Sequence, residues 1–283
     1  MDAHHINRLE QACRPLEHLA NLGRLYPKAW RQIEKFRASK GRNILPNWPE
    51  WCFLPMAGFY AIVSKQADVV RLPPHLLPDV SRLAAIGTWR HTKGIYLFDP
   101  DVRNAAMLAR VSGEMNYELL YRLPEWCVYI ETPDQKWGVM PLHGFFAHAE
   151  WEAEKGRATL RLLLDCEGGL FPCPTPLPCA DVSDGTVSQT TEADLMQSMS
   201  GGGVYDMPPE NVTDGMAGGL EPLVSMVYFL CGEYADIRGH GDNTLGNPMQ
   251  KHVVEDGWYE ASFDYAPETV RRWQVGERTG CLT

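Results

Sequence analysis

The sequence predicts an α+β fold, with an antiparallel sheet from the central region packed with N-terminal and C-terminal helices. Three observations predict it. Apolar residues near both ends recur at spacings of three and four, the period of an amphipathic helix. Runs in the middle of the chain are aromatic and β-branched. The turns between those runs are short, which favours antiparallel neighbours. The 283 residues are 45% hydrophobic and can bury a large core. We expect one domain over 1–283: a helical part over 1–43, a mixed core with a β meander over 44–167, a Pro/Gly-rich loop region over 168–215 and a helical part over 216–283.

Ile6, Leu9, Cys13, Leu16 and Ala20 mark a first helix over 4–22, with Pro15 inside it as a kink. A second starts at Pro27, a good first-turn residue, and sets Trp30, Ile33 and Phe36 on one face. Residues 44–60, with Trp48, Trp51 and Pro55, read as an extended segment on the surface. A third helix is expected over 75–89, with Leu76, Val80, Leu83 and Ala84 inward. Gly94 to Phe98 reads as a strand, and Asp99-Pro100 as the capped start of another helix. A short helix covers 116–121.

Strands follow over 126–131, 137–150 and 158–165. The longest is expected to bend at Gly144, and Pro133 to Lys136 forms the first turn. Only one face of the first strand is taken as the main core face. Pro172, Pro174, Pro176 and Pro178 favour an extended path, and Gly201-Gly202-Gly203 reads as a linker. Leu220, Leu223, Val224, Val227 and Cys231 fit a buried helix, and 268–273 a last helix or strand.

The formal net charge of −10 argues against holding long nucleic acids, whose phosphates need positive faces. The first 42 residues are nonetheless basic, with Arg14, Arg37, Lys40 and Arg42 among the cations. The plainer reading of these is a solvated helix face, and the functional one a nucleic-acid or ribosome contact. No signal peptide opens the chain, and the apolar run near Leu223 to Cys231 is too short to span a bilayer. We therefore expect a cytoplasmic protein with reduced cysteines and no membrane partner.

Familiar catalytic motifs are absent: there is no nucleophile elbow, phosphate-binding loop or His-Glu-x-x-His. Cys166, Cys173 and Cys179 are separated by six and five residues, wider than paired zinc ligands, so buried thiols are the better reading. The stretch from Asp236 to Asn243 gathers acid/base groups, with His240 and Asp242 as weak metal candidates, but tight loops use the same residues. No catalytic residue and no cofactor is assigned. Nine Trp and eleven Tyr suggest recognition, because such rings dominate binding hot spots. A free sheet edge with aromatic pockets would accept an extended peptide. A short echo, Pro49-Glu50-Trp51-Cys52 and Pro124-Glu125-Trp126-Cys127, is too brief to indicate duplication.

Two blocks carry a resemblance. Gly87-Thr88-Trp89-Arg90-His91-Thr92-Lys93-Gly94-Ile95-Tyr96 and Leu123-Pro124-Glu125-Trp126-Cys127-Val128-Tyr129-Ile130 resemble segments of the second type V-A anti-CRISPR protein family. Weaker matches include Gly144-Phe145-Phe146-Ala147 and Val275-Gly276-Glu277-Arg278. The family's pattern differs in continuing into a basic tail after the last block, and in lacking a Cys- and Pro-rich stretch like that from Cys166 to Cys179.

The resemblance implies a mobile-element protein that suppresses production of the type V-A CRISPR effector nuclease in the bacterial host. It implies recognition of the effector's nascent N-terminus during translation, with loss of the message and indirect contact with ribosome or mRNA. The positions it carries over as a peptide-binding site are Trp89, Arg90, Tyr96, Trp126 and Tyr129. Phe145 joins them from its weaker match. Two alternatives stay open: an RNA nuclease using Asp236 to Asn243 with Glu233 and His252, and a plasmid or phage regulator of another target.

Overall fold

The structure, a computed structural model, describes residues 13–43, 45–108, 117–153, 156–173, 213–233, 235–239 and 270–276. Helix α1 spans Arg14–Leu25 and α2 Ala29–Ala38. Pro15 does not kink α1. It stands in the first turn, where its missing amide costs no hydrogen bond. Ile6 and Leu9 lie outside the described residues. Met56–Gln66 forms α3, so the expectation of an extended surface segment over 44–60 fails in two ways. Its end is helical, and Trp48, Cys52, Phe53 and Leu54 are buried. The prolines and aromatics masked a helix whose residues are apolar on several sides. Helix α4 spans Leu77–Trp89 after a 3-10 turn, Pro74–Leu76.

Strand β1, Gly94–Phe98, leads into α5, Pro100–Leu108. The Asp101 amide donates to Asp99 Oδ1 at 2.9 Å, the expected cap. A 3-10 turn, Tyr117–Arg122, precedes β2, Cys127–Trp137. Then come β3, Met140–Glu152, β4, Arg157–Cys166, and β5, Gly169–Pro172. Helix α6 covers Thr213–Cys231, followed by β6, Ile237–Gly239, and β7, Arg271–Val275. The expected turn at Pro133 to Lys136 lies inside β2. There the pairing with β3 shifts register between Glu131 and Gln135, and the chain reverses at Gly138 and Val139 instead.

The seven strands form one sheet in the order β5-β4-β3-β2-β1-β7-β6. From β2 to β5 it is an antiparallel meander, of which short turns predict β2 to β4, whereas β5 pairs with β4 in a stretch expected to be loop. Strand β1 differs, running parallel to both β2 and β7. The stretch from Phe98 to Cys127, with α5 in it, is long enough for the crossover that a parallel pair requires.

Both faces of the sheet are core, not one. Val128, Ile130, Phe145, Leu160, Leu162 and Trp273 face α5 and α6. Cys127, Tyr129, Phe146 and Leu163 face the helices α1 to α4. That second face also buries charge. Asp165 has a fully buried side chain and accepts from Arg14 Nη2 at 2.7 Å and Tyr129 OH at 2.9 Å, with His18 Nε2 at 3.0 Å. Burial opposes ionisation, but the bonds to His18 and Arg14 hold the carboxyl down to about 2. This latch ties α1 to β4. Glu150 accepts from the Met56 amide at 3.0 Å, at the start of α3.

The bend in β3 falls where expected, with a register shift between Leu142 and Gly144. A Cβ at Gly144 would lie 2.5 Å from the Tyr129 ring and 2.7 Å from the Ile130 carbonyl oxygen. Neither can move without disturbing β2. Gly144→Ala is therefore expected to destabilise the protein by about 1–3 kcal/mol, read as a lower denaturant midpoint.

Burial pushes the Glu150 carboxyl up to about 7, with only partial relief from the Met56 amide and Arg161. The folded protein thus holds a proton that the unfolded chain releases near the ordinary value of 4.5. Stability from this group is complete below about pH 4.5 and falls as pH rises through about 7. Burial holds the ring of His148 down to about 3, which acts in the opposite sense. Comparing Glu150→Gln with the parent at each pH cancels that contribution. Thermal unfolding should show the parent losing on the order of 3 kcal/mol relative to the variant between about pH 4.5 and 7.5.

Candidate functional site

Of the six residues expected to bind peptide, four are sealed in the core. Trp89, closing α4, is fully buried, and its indole donates to the Gly94 carbonyl at 2.8 Å. Tyr129 packs its ring 4.8 Å from Phe146 on the same face of the sheet. Tyr96 and Phe145 point to the opposite face, Tyr96 stacking 6.3 Å from Trp273. The sheet separates these two pairs, and none of the four meets solvent. Tryptophans and tyrosines at fixed positions signalled packing here, which a sequence cannot distinguish from binding.

Arg90 and Trp126 remain, both half-buried, and the fold brings them to one patch. Between them lies His91. Its Nε2 is 3.0 Å from Glu34 Oε1, which also receives Arg90 Nη1 at 3.1 Å. The His91 ring sits 4.7 Å from Phe53 and 6.4 Å from Trp126, edge-on to the latter. The Arg37 guanidinium lies 4.0 Å from the Phe53 ring centroid and 4.9 Å from that of Trp126. Arg90 covers Trp30 at 5.7 Å, and Lys40, paired with Glu50, covers Trp48 at 5.6 Å. The patch is therefore built of cations laid on aromatic faces, an arrangement worth about 0.5–2 kcal/mol per pair and one that holds the guanidinium planes still.

Each element has a local reason to deliver its residue. Glu34 and Arg37 are three apart on α2, on the side of the helix that also buries Ile33. Arg90 and His91 follow the last turn of α4, fixed because Trp89 is fully buried beneath them. Trp126 precedes β2, and its indole donates to the Glu50 carbonyl at 2.9 Å. The two Pro-Glu-Trp-Cys segments thus touch in the folded protein, although their likeness is too short to argue descent. Below Trp126, Glu125 is buried, and its Oε1 accepts from Arg271 Nη2 at 2.7 Å.

No pattern in the sequence joins Glu34, Arg37, His91 and Phe53 as one site. Arg37 stood among the N-terminal cations, and His91 within the first block, but nothing local joins α2 to them. Burial alone would raise the Glu34 carboxyl. The His91 hydrogen bond and the charges of Arg37 and Arg90 hold it below the ordinary range instead. Burial lowers His91, the Glu34 hydrogen bond opposes this, and Arg37 adds to the lowering.

The other candidates do not converge on this patch. Cys166 and Cys173 are buried free thiols, and Cys179 lies outside the described residues. Asp236 pairs with Arg238 at 3.0 Å, and Glu233 is exposed, whereas His240, Asp242, Asn243 and His252 lie outside the described residues. Among the described residues no three His, Cys, Asp or Glu side chains gather as metal ligands would. The β5 edge is partly taken, since Arg82 donates to the Leu170 carbonyl at 3.0 and 3.1 Å. No helix among the described residues is long and apolar enough to cross a membrane.

The family model for anti-CRISPR type V subtype A2, AcrVA2-like, matches residues 96–282. A solved structure described as the crystal structure of AcrVA2 is similar, with a TM-score of 0.60 and 20% identity. The match covers 94% of this chain and 85% of that one. At that identity the likeness speaks for the fold. No curated protein matches.

Because Glu34 is what opposes the lowering of His91, Glu34→Gln should move the His91 titration further below its ordinary value of 6.5. Proton NMR of the imidazole in the folded variant checks this. An unchanged midpoint would mean that the pair does not form.

Proposed function

The chain belongs to the anti-CRISPR type V subtype A2 family, and from that premise we propose that it binds an extended N-terminal peptide of a type V-A CRISPR effector nuclease. Binding occurs as the peptide emerges during translation, in the cytoplasm of the bacterial host, and leads to loss of the encoding message. One observation supports this reading above others. Arg90 and Trp126, the surface members of the two sequence blocks, meet in a single cation–aromatic patch.

Such a patch suits a peptide. Its rings and guanidinium planes are held before binding, so little side-chain entropy is lost when a partner arrives. Tryptophan and arginine are also the residues on which binding energy concentrates. Trp89, Tyr96, Tyr129 and Phe145 then serve the site from beneath, by setting the positions of α4, β1, β2 and β3. Side-chain recognition on the patch takes the larger share, and strand addition the smaller, because the β5 edge is already engaged by Arg82. The net charge of −10 also favours a peptide over direct capture of the message.

Synthetic N-terminal peptides of a type V-A effector, titrated against the purified protein, test this directly. Trp126→Ala and Arg90→Ala should each weaken binding about tenfold or more, with circular dichroism and melting temperature close to those of the parent. In cells, the same variants should restore synthesis of a reporter fused after the effector's first codons. Unchanged peptide affinity in both folded variants would remove the patch as the binding site.

A further inference from the structure

Seven of the chain's 26 Lys and Arg residues fall between Arg24 and Arg42, against one, Glu34, of its 36 Asp and Glu. The fold sorts these cations onto different sides of α2. Arg37 turns to the patch, and Glu34 is committed there to Arg90 and His91. Lys28, Arg31 and Lys35 stand at spacings of three and four on the side opposite buried Ile33, and all three are exposed. Arg24, whose guanidinium donates to the Asn21 side chain, and Arg42 are exposed as well, before and after α2 in the chain. The result is a ridge of exposed cations on a chain whose net charge is −10.

The stability of the helix does not account for this ridge. The positive end of a helix dipole lies at the N-terminus, where acids are favoured and cations disfavoured. Lys28 occupies the N-cap of α2 and makes no capping bond, Arg31 lies in the first turn, and that turn holds no acid. Arg31 and Lys35 are also one turn apart, a like-charge pair that weakens a helix. Among the described residues no ion pair engages Lys28, Arg31 or Lys35. Cations set against the preference of their own helix are what a surface for an anionic partner requires.

We propose that the ridge of Lys28, Arg31 and Lys35 is a contact for the phosphate backbone of double-helical RNA, and that the RNA is ribosomal. Phosphates can be met by Lys and Arg alone, without reading sequence. A protein partner calls for an apolar centre. The ridge lacks one: Ala29 and Ile33 are buried, and Leu25 is a single exposed leucine beside it. A bilayer calls for an apolar face free to insert, and that face of α2 is committed to the core. Single-stranded RNA is held largely by stacking on aromatic rings, whereas duplex RNA is met through shape and phosphate. Tyr26 is buried and Trp30 and Phe36 are half-buried, so the ridge exposes no ring. The choice of ribosomal RNA rests on the peptide reading above, because a peptide met as it emerges is met beside fixed RNA helices. A local ridge on an acidic chain makes a weak, salt-sensitive contact. The protein can then sample ribosomes and stay only where the peptide is bound as well.

The purified protein is titrated with a labelled RNA hairpin and with a single-stranded RNA of the same length, and is co-sedimented with bacterial ribosomes. The parent should bind the hairpin more tightly than the single strand, and lose about tenfold or more in affinity between about 50 and about 200 mM salt. Lys28→Glu/Arg31→Glu should weaken hairpin and ribosome binding about tenfold or more, melt no lower than the parent, and leave affinity for effector N-terminal peptides unchanged. Lys65→Glu/Lys136→Glu, which makes the same charge change at cations exposed elsewhere, should bind RNA like the parent. Equal loss in both double variants overturns the ridge, because net charge alone then explains the binding. Unchanged RNA binding in Lys28→Glu/Arg31→Glu overturns it, and so does a melting temperature of that variant well below the parent's, which assigns the cations to stability. Equal or tighter binding of the single strand overturns the choice of duplex RNA. Binding of phosphatidylglycerol vesicles that the same variant abolishes, with no binding of the hairpin, assigns the ridge to a lipid surface and overturns the proposal. Hairpin binding without co-sedimentation overturns ribosomal RNA as the source. Failure of every effector peptide while RNA binding holds overturns the peptide reading, and the choice of ribosomal RNA with it, but leaves the phosphate contact standing.

Discussion

Glu125 is the charge around which the sheet is organised. Its carboxyl is buried at the point where the chain enters β2, and Arg271 of β7 reaches it at 2.7 Å. Thr92, Tyr96 and Trp273 turn their polar atoms toward the same group. Burial pushes the carboxyl up, and the Arg271 charge opposes that. An unpaired carboxylate in this position would be costly, so the ion pair makes the association of distant segments obligatory. Arg271 also donates to the Thr92 carbonyl at 2.8 Å, which seats β7 beside β1. The parallel pairings of β1 on both sides, the least predictable part of the sheet, converge on this group.

From that centre the two faces of the sheet divide the labour. The face toward α5 and α6 is the heart of the hydrophobic core, and it also holds buried Glu125 paired with Arg271, beside Tyr96 and Trp273. The face toward α1 to α4 is mixed, because the helices there are fastened by charge as well as by packing. Asp165 holds α1 through Arg14 and His18, and Glu150 meets the first turn of α3. Buried ionic contacts of this kind add little net stability but penalise any arrangement that separates the partners. They fix where the N-terminal helices lie on the sheet, and hence where α2 can present Glu34 and Arg37.

The patch is the surface outcome of that placement. Its residues come from α2, from the segment around Phe53, from the end of α4 and from the entry to β2. Each is anchored by something buried: Ile33 under α2, Trp89 under Arg90 and His91, and Glu125 beside Trp126. Such anchoring holds guanidinium and indole groups in one geometry without a partner, which a recognition surface needs if binding is not to spend its energy on ordering side chains.

The sequence by itself determined the class of the fold, the meander from β2 to β4, the cap at Asp99 and the irregularity of β3 at Gly144. Each follows from local chemistry: turn length, a capping oxygen and a residue without a Cβ. It also marked the two blocks that hold Trp89, which is fully buried, and Trp126, whose indole bonds the Glu50 carbonyl. Local chemistry could not say which aromatic residues of those blocks face outward. Tyr96, Tyr129 and Phe145 carry the same side-chain types as a binding site, and only the two-sided burial of the sheet turned them into core. Pro15 and Pro133 depart from expectation for the same reason, because a proline's effect depends on whether its turn or strand needs the missing amide. The parallel placement of β1 and β7, and the meeting of Arg37, Glu34 and His91, were decided by tertiary structure alone. They join residues far apart in the chain through buried charge and packing, and no pattern along the sequence encodes that distance.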